Sequence, residues 1–127
     1  MSGNTILYVE DNEMNRKIVR DLLKRTAYNL IEAFDGEEGV AKALEIKPDL
    51  ILMDIQLPRI SGMEAMRRIR ADAAHAKTPI VAITSFALSG DDQKAMAAGA
   101  TAYLAKPYSP LDLLGLIRKL LPEPPKP

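Results

Sequence analysis

Five short apolar runs, each followed by a stretch of helical periodicity, divide this chain from end to end. The runs fall near residues 5–10, 28–33, 49–53, 79–84 and 102–105, and the helical stretches near 13–26, 37–46, 62–73, 89–97 and 110–121. Strand and helix alternating through such short links leave few folds open. Parallel neighbours need a crossover, crossovers are right-handed, and helices then cover the sheet on both faces. The expected class is α/β: a doubly wound parallel sheet of five strands, forming one domain over residues 1–121. The tail at 122–127, Pro122-Glu123-Pro124-Pro125-Lys126-Pro127, cannot continue a helix and reads as an extended end.

Local signals agree with these elements. Asn12 can cap the first helix, with Met14, Ile18 and Leu22 recurring at helical spacing behind it. Ser61-Gly62 precedes the third helix, where Met63, Met66 and Ile69 follow a three-residue step. Ser109-Pro110-Leu111-Asp112 combines a cap, a proline at the first helical position and an acid three residues after the cap. The last helix carries Leu111, Leu113, Leu114, Leu116, Ile117, Leu120 and Leu121, an apolar arc wider than one packed face requires. Such an arc predicts a partly exposed patch used for self-association as a homodimer or for docking a partner. Arg67, Arg68 and Arg70 read as the solvated face of a helix, and His75, in a polar alanine-rich link, receives no role.

Composition excludes whole classes of function. Seventeen basic and seventeen acidic residues cancel, so no global field draws the chain onto nucleic acid or an anionic membrane. Without cysteine there are no disulfides, thiolate metal sites or thiol chemistry. No apolar run approaches the roughly 20 residues that span a bilayer, and the first residues lack an export signal's basic flank and apolar core. A cytoplasmic location is expected.

The ends of the strands carry the chemistry. Leu50-Ile51-Leu52-Met53 delivers Asp54, and the loop after it, Ile55-Gln56-Leu57-Pro58-Arg59-Ile60-Ser61-Gly62, is constrained by Pro58 and Gly62. Ile6-Leu7-Tyr8-Val9 runs into Glu10-Asp11, Ile80-Val81-Ala82-Ile83 into Thr84-Ser85, and Ala102-Tyr103-Leu104-Ala105 into Lys106-Pro107. In one parallel sheet, three carboxylates, a hydroxyl and an ammonium then meet at the carboxyl edge, where open α/β sheets bind ligands. At about 4 Å and an effective dielectric near 20, each like-charge pair costs roughly 4 kcal/mol. Lys106 offsets part of this, and an all-oxygen donor set suits Mg2+ for the remainder. Asp54, ending the most apolar strand, is the candidate nucleophile, and attack on a phosphoryl group would give an aspartyl phosphate. Thr84 and Lys106 would bind the phosphoryl oxygens, and a cis bond at Lys106-Pro107 could turn the lysine inward.

These residues resemble a known set. Val9-Glu10-Asp11-Asn12, Thr84-Ser85, Lys106-Pro107 and the run Lys47-Pro48-Asp49-Leu50-Ile51-Leu52-Met53-Asp54-Ile55-Gln56-Leu57-Pro58 look like the receiver domain of two-component response regulators, most of all the stand-alone DivK type. The resemblance implies the CheY-like (flavodoxin-like) fold with strand order 2-1-3-4-5. It implies that Asp54 is the phosphoacceptor, charged by a sensor histidine kinase or a histidine phosphotransfer protein. Asp11, Asp54 and the backbone carbonyl of Gln56 would ligate Mg2+, with Glu10 acting through a water. Thr84 and Tyr103 would form the switch, and the face of helix four, strand five and helix five would signal to a downstream effector protein. Pro58, Gly62 and Pro107 would be structural. Ser85 stands where the family often has Ala.

Three rivals fit less well. A haloacid-dehalogenase-type phosphatase wants a second Asp two residues after the nucleophile, where this chain has Gln56. A flavodoxin-like cofactor binder needs a phosphate cradle after strand one, where Glu10-Asp11-Asn12-Glu13 would repel phosphate. A pseudo-receiver would not keep the acid, Thr and Lys set. The expected role is thus a phosphoacceptor in a phosphorelay, not a turnover enzyme. With no output domain after residue 121, its effector is expected to be a separate protein.

Overall fold

The computed structural model describes residues 4–85 and 90–123, the side chains of Asp91 and Asp92 excepted. The chain runs β1 (Thr5–Val9), α1 (Glu13–Leu23), β2 (Asn29–Ala33), α2 (Gly36–Ile46), β3 (Leu50–Asp54) and α3 (Gly62–Arg70). A 3-10 turn at Ala73–His75 leads to β4 (Ile80–Thr84), α4 (Asp91–Ala97), β5 (Ala102–Ala105) and α5 (Pro110–Leu120). All strand pairs are parallel, in the order β2-β1-β3-β4-β5, as expected. β3 and β4, without a polar residue before their last positions, are buried throughout and lie inside the sheet.

Side chains alternate across the sheet and build two cores. Ile6, Tyr8, Leu50, Leu52, Val81 and Ile83 pack with Val19 and Leu23 of α1 and Leu113, Leu114 and Ile117 of α5. Leu7, Val9, Ile51, Met53, Ile80 and Ala82 pack with Ala43 of α2, Ala65, Met66 and Ile69 of α3, and Ala95 of α4.

Four side-chain placements go beyond what the sequence alone disclosed. On α1 the stripe Met14-Ile18-Leu22 is not the buried face: Met14 is 69% and Ile18 48% exposed, while Val19 and Leu23 are buried. The wide apolar arc of α5 is largely consumed by packing. Leu113, Leu114 and Ile117 are buried, Leu116, Leu120 and Leu121 pack against the same core, and Leu111 alone among its leucines is classed as exposed, at 76%. Arg70 is no solvated charge, because it donates to the carbonyls of Gly99 (2.9 Å) and His75 (2.7 Å) and to Thr101 Oγ1 (3.3 Å). His75 is buried between Thr78 Oγ1 (2.9 Å) and the carbonyl of Ala43 (2.8 Å). A carbonyl only accepts, so Nε2 carries a proton and donates to Ala43.

Helix ends shift for local reasons. α1 stops at Leu23 because Thr26 returns its N–H (3.0 Å) and hydroxyl (2.7 Å) to the Leu23 carbonyl. α3 stops at Arg70, and Asp72 caps the 3-10 turn by accepting from Ala74 N–H (3.1 Å). The start of the tail is tied down: Glu123 accepts from Ala27 N–H at 2.7 Å, and the Tyr28 hydroxyl donates to the Leu121 carbonyl. Residues 124–127 of the expected tail lie outside the described residues.

Candidate functional site

At the carboxyl edge of the sheet, the side-chain alternation that fills the α1/α5 core continues one step beyond the apolar residues. Glu10 follows Tyr8 by two on the β1 line, and Asp54 follows Leu52 by two on β3, so both carboxylates leave the same face. Glu10 N–H still pairs with the Ala33 carbonyl (3.0 Å), and Ile55 N–H with that of Ile83 (3.0 Å). The backbone beneath both acids is therefore held by the sheet. Glu10 is 1% and Asp54 2% exposed, whereas Asp11, at the first turn away from the strand, is exposed.

Carboxylate oxygens of Glu10, Asp11 and Asp54 all lie within 4.8 Å of one another. Lys106, arriving after β5, places Nζ 3.0 Å from Asp54 Oδ2 and 3.2 Å from Glu10 Oε1. Burial pulls the Lys106 ammonium toward neutrality, but its bonds to Asp54 and Glu10 win and hold its pKa above the ordinary lysine value. The Lys106-Pro107 bond is cis. Thr84 is fully buried at the end of β4, and its carbonyl accepts from Lys106 N–H at 2.7 Å. Asp54 pairs in register with Ile83, so Thr84 ends its strand beside the Asp54 turn.

The loop after Asp54 closes around it. Gln56 N–H donates to Asp54 Oδ1 at 2.8 Å, leaving Oδ2 to Lys106. Gly62 returns against the same backbone: a Cβ there would lie 2.2 Å from the Asp54 carbonyl oxygen and 2.5 Å from Ile55 Cα. No side chain fits in that space. Pro58 and Pro107 lie in exposed loop positions, and Tyr103, 42% exposed on β5, pairs in register with Ala82, two residues before Thr84.

Three contributors had escaped the sequence reading. Arg16 donates from Nη1 to the Glu10 carbonyl at 2.7 Å, fixing the turn that carries Asp11. Tyr8 donates its hydroxyl to Glu10 Oε1 at 3.3 Å, and Tyr108 packs against the core that holds the Tyr8 ring. The signal for Tyr8 was its place two residues before Glu10 on one strand; Arg16 and Tyr108 had no comparable local signal. Beside Lys106, a cavity of about 490 Å3 is lined by Asn15, Ile18, Ser85, Pro107, Tyr108 and Pro110.

The arrangement can therefore gather a hard cation and an anion around one buried carboxylate. The family description "Response regulator receiver domain" matches residues 6–118. The chain belongs to the response regulator receiver family. It is 42% identical over 105 residues to the polar-differentiation response regulator DivK of Brucella anthropi, covering 83% of this chain and 85% of that protein. The DivK of Brucella ovis matches to the same extent. Among solved structures, the chemotaxis response regulator CheY4 of Vibrio cholerae superposes with a TM-score of 0.88 at 31% identity, covering 94% of this chain and all of that one (100%). The receiver domain of the sensor histidine kinase PA1611 of Pseudomonas aeruginosa gives 0.87 at 36% identity, over 94% and 98% of the two chains. That structure has a magnesium ion coordinated in its active-site cleft. The receiver domain described here offers the corresponding chemistry in its Glu10, Asp11 and Asp54 cluster: oxygen donors only, with one acid open to solvent. No helix among its described residues is long and apolar enough to cross a membrane.

Proposed function

We propose that this receiver domain accepts a phosphoryl group on Asp54 from the phosphohistidine of a sensor histidine kinase or histidine phosphotransfer protein. The observation that carries the reading is the ammonium of Lys106 bridging Asp54 (3.0 Å) and Glu10 (3.2 Å) inside a cluster that still holds more carboxylate than cation. An Asp54 carboxylate oxygen attacks phosphorus as the phosphorus–nitrogen bond breaks, and the imidazole keeps that electron pair. Lys106 faces the transferred oxygens, and the Thr84 hydroxyl supplies a donor. Asp11, Asp54 and the Gln56 carbonyl would hold Mg2+, with Glu10 acting through a water. The ion supplies charge neutralisation between two anionic reactants. The chain is a phosphoacceptor and not an enzyme turning over an external substrate, and we place it in the cytoplasm.

Signalling would leave through the face of α4, β5 and α5, where Met96, Tyr103 and Leu111 are all exposed apolar side chains. Thr84 and Tyr103 would form the switch behind it, and a separate effector protein would read the surface. Self-association through this face would appear in a dilution series by light scattering with and without a phosphate mimic; monomer throughout excludes it.

The direct test mixes the protein with Mg2+ and acetyl phosphate and measures intact mass. One phosphoryl group is expected, removable by hydroxylamine and abolished by Asp54→Asn. Labelling that persists in the variant refutes the assignment.

A further inference from the structure

We infer that Arg16 is a positioning residue for metal binding: its side chain and its amide hold the carbonyls on either side of Asp11, at Glu10 and Asn12, and so aim the Asp11 carboxylate at the cluster it shares with Glu10 and Asp54. This rests on the metal-binding reading above and adds to it a residue that touches no metal.

Of the three acids, Asp11 is the one that packing does not orient. Glu10 and Asp54 are buried, whereas Asp11 faces solvent. The direction of its carboxylate, within 4.8 Å of the other two, is therefore set through its backbone. Arg16 Nη1 donates to the Glu10 carbonyl at 2.7 Å, which fixes the plane of the peptide bond entering Asp11. Arg16 N–H donates to the Asn12 carbonyl at 3.1 Å, the first turn of α1. The side chain thus reaches back to the turn from a root anchored in that same turn.

The guanidinium is itself held. Nη2 reaches Glu13 Oε1 at 2.9 Å, Nε lies 3.3 Å from Glu32 Oε1, and Cζ stands 5.3 Å from the centre of the Phe34 ring. With these supports the side chain is only 11% exposed. Loss of Glu32 alone leaves Glu13 and Phe34 in place to hold it. A planar fork can serve a carbonyl, two carboxylates and a ring face together, which the point charge of a lysine cannot.

Position and charge predict opposite signs. A positive charge beside a cation site repels the cation, so if Arg16 acted through charge its removal would tighten Mg2+ binding. If it acts through the turn, its removal weakens binding.

Titration calorimetry with Mg2+ alone separates the two. Arg16→Met and Arg16→Lys should both weaken binding about tenfold, the scale for groups that orient a ligand from behind. Arg20→Met is the control. Arg20 bonds to the same Glu13 and Glu32 one helical turn further from Asp11, and its loss should keep Mg2+ affinity within about twofold. Amide nitrogen-15 spectra of Arg16→Lys should show Asp11 and Asn12 broadened by exchange without Mg2+ and sharpened by it, a signature that general loosening of α1 would not confine to the turn. A tenfold loss in Arg20→Met as well (about the Arg16 effect) would assign the change to the whole charge cluster and overturn the proposal. If the parent binds Mg2+ and either Arg16 variant matches it within about twofold, or binds more tightly, the positioning role is wrong and the metal reading stands. A parent protein that binds no Mg2+ overturns both together.

Discussion

Two clusters of charge lie side by side around the ends of β1 and β2, and they are composed differently. In one, Arg16 and Arg20 of α1 face Glu13 and Glu32. Arg20 reaches Glu32 at 2.7 and 2.8 Å, and Arg16 reaches Glu13 at 2.9 Å and Glu32 at 3.3 Å. Two guanidiniums meet two carboxylates, and the bond from Arg20 holds Glu32 below the ordinary carboxylate range. In the other, Glu10, Asp11 and Asp54 crowd together, and the Lys106 ammonium bridges two of them, Glu10 and Asp54. The same stretch of chain balances its charge in one place and leaves a deficit in the next. Charge imbalance is therefore a local property of the sheet edge, and the proposed binding of a cation and a phosphoryl group would draw on it.

Three substitutions would break or sharpen that contrast. The largest effect is expected from Lys106→Met, which leaves Asp54 and Glu10 buried beside each other without their cation. Labelling by acetyl phosphate should fall about a hundredfold, the scale of losing one preorganised charge at a reacting centre. In chelator the variant should be less stable by roughly 1–3 kcal/mol, short of a fully buried pair because the lysine keeps some solvent contact. The Lys106 pKa is raised on folding, so its contribution is complete below the ordinary lysine value and disappears as pH rises through the raised one. An alkaline unfolding limb identical in parent and variant would argue against the ion pairs.

Asp11→Asn should do the opposite in chelator. Relieving like-charge repulsion should stabilise the metal-free protein by about 1 kcal/mol, since Asp11 faces water. In Mg2+ the order should reverse. The parent gains about 2.7 kcal/mol at a hundredfold excess over its Kd, and the variant gains little. Urea unfolding with and without Mg2+ reads both numbers, and a parent insensitive to the ion would remove the contrast between the clusters.

The smallest effect belongs to the balanced cluster. Glu32→Gln should cost about 1 kcal/mol or less and leave Mg2+-dependent labelling unchanged. Because the Glu32 pKa is lowered on folding, its contribution holds above the ordinary value of 4.5 and is lost as pH falls through the lowered one. The variant should accordingly unfold with a shallower acid limb. A change in labelling would show that the two clusters are coupled.

What the sequence disclosed follows from range. Asp54, Glu10, Thr84 and Lys106 were legible because each ends an apolar run, and a parallel sheet brings such ends to one edge whatever the details. The buried side of α1 was not. Met14-Ile18-Leu22 and Val19-Leu23 are both apolar at helical spacing, and spacing alone does not say which stripe meets the sheet. The α5 leucines looked surplus because one face of packing was assumed, whereas the sheet and α1 both press on that helix. Arg70 was misread for a different reason. Two of its partners, Gly99 and Thr101, lie 29 and 31 residues along the chain, beyond any local pattern. Tyr108 joins the core around Tyr8 across a still greater separation, and a hydroxyl on an otherwise apolar ring leaves no mark on periodicity.

The bonds of Arg70 also bear on how β5 is free to respond. They hold Gly99 and Thr101, the root of the strand, to α3, while Lys106 moors its far end to Asp54 and Glu10. Only four strand residues, Ala102–Ala105, lie between these anchorages. The root is tethered by groups that no reaction touches, whereas the far mooring depends on the charge of Asp54 itself. On the proposed phosphorylation of Asp54, a strap fastened in this way would yield from one end only, and the slack would fall along the outer margin of the sheet, where Tyr103 already stands in solvent.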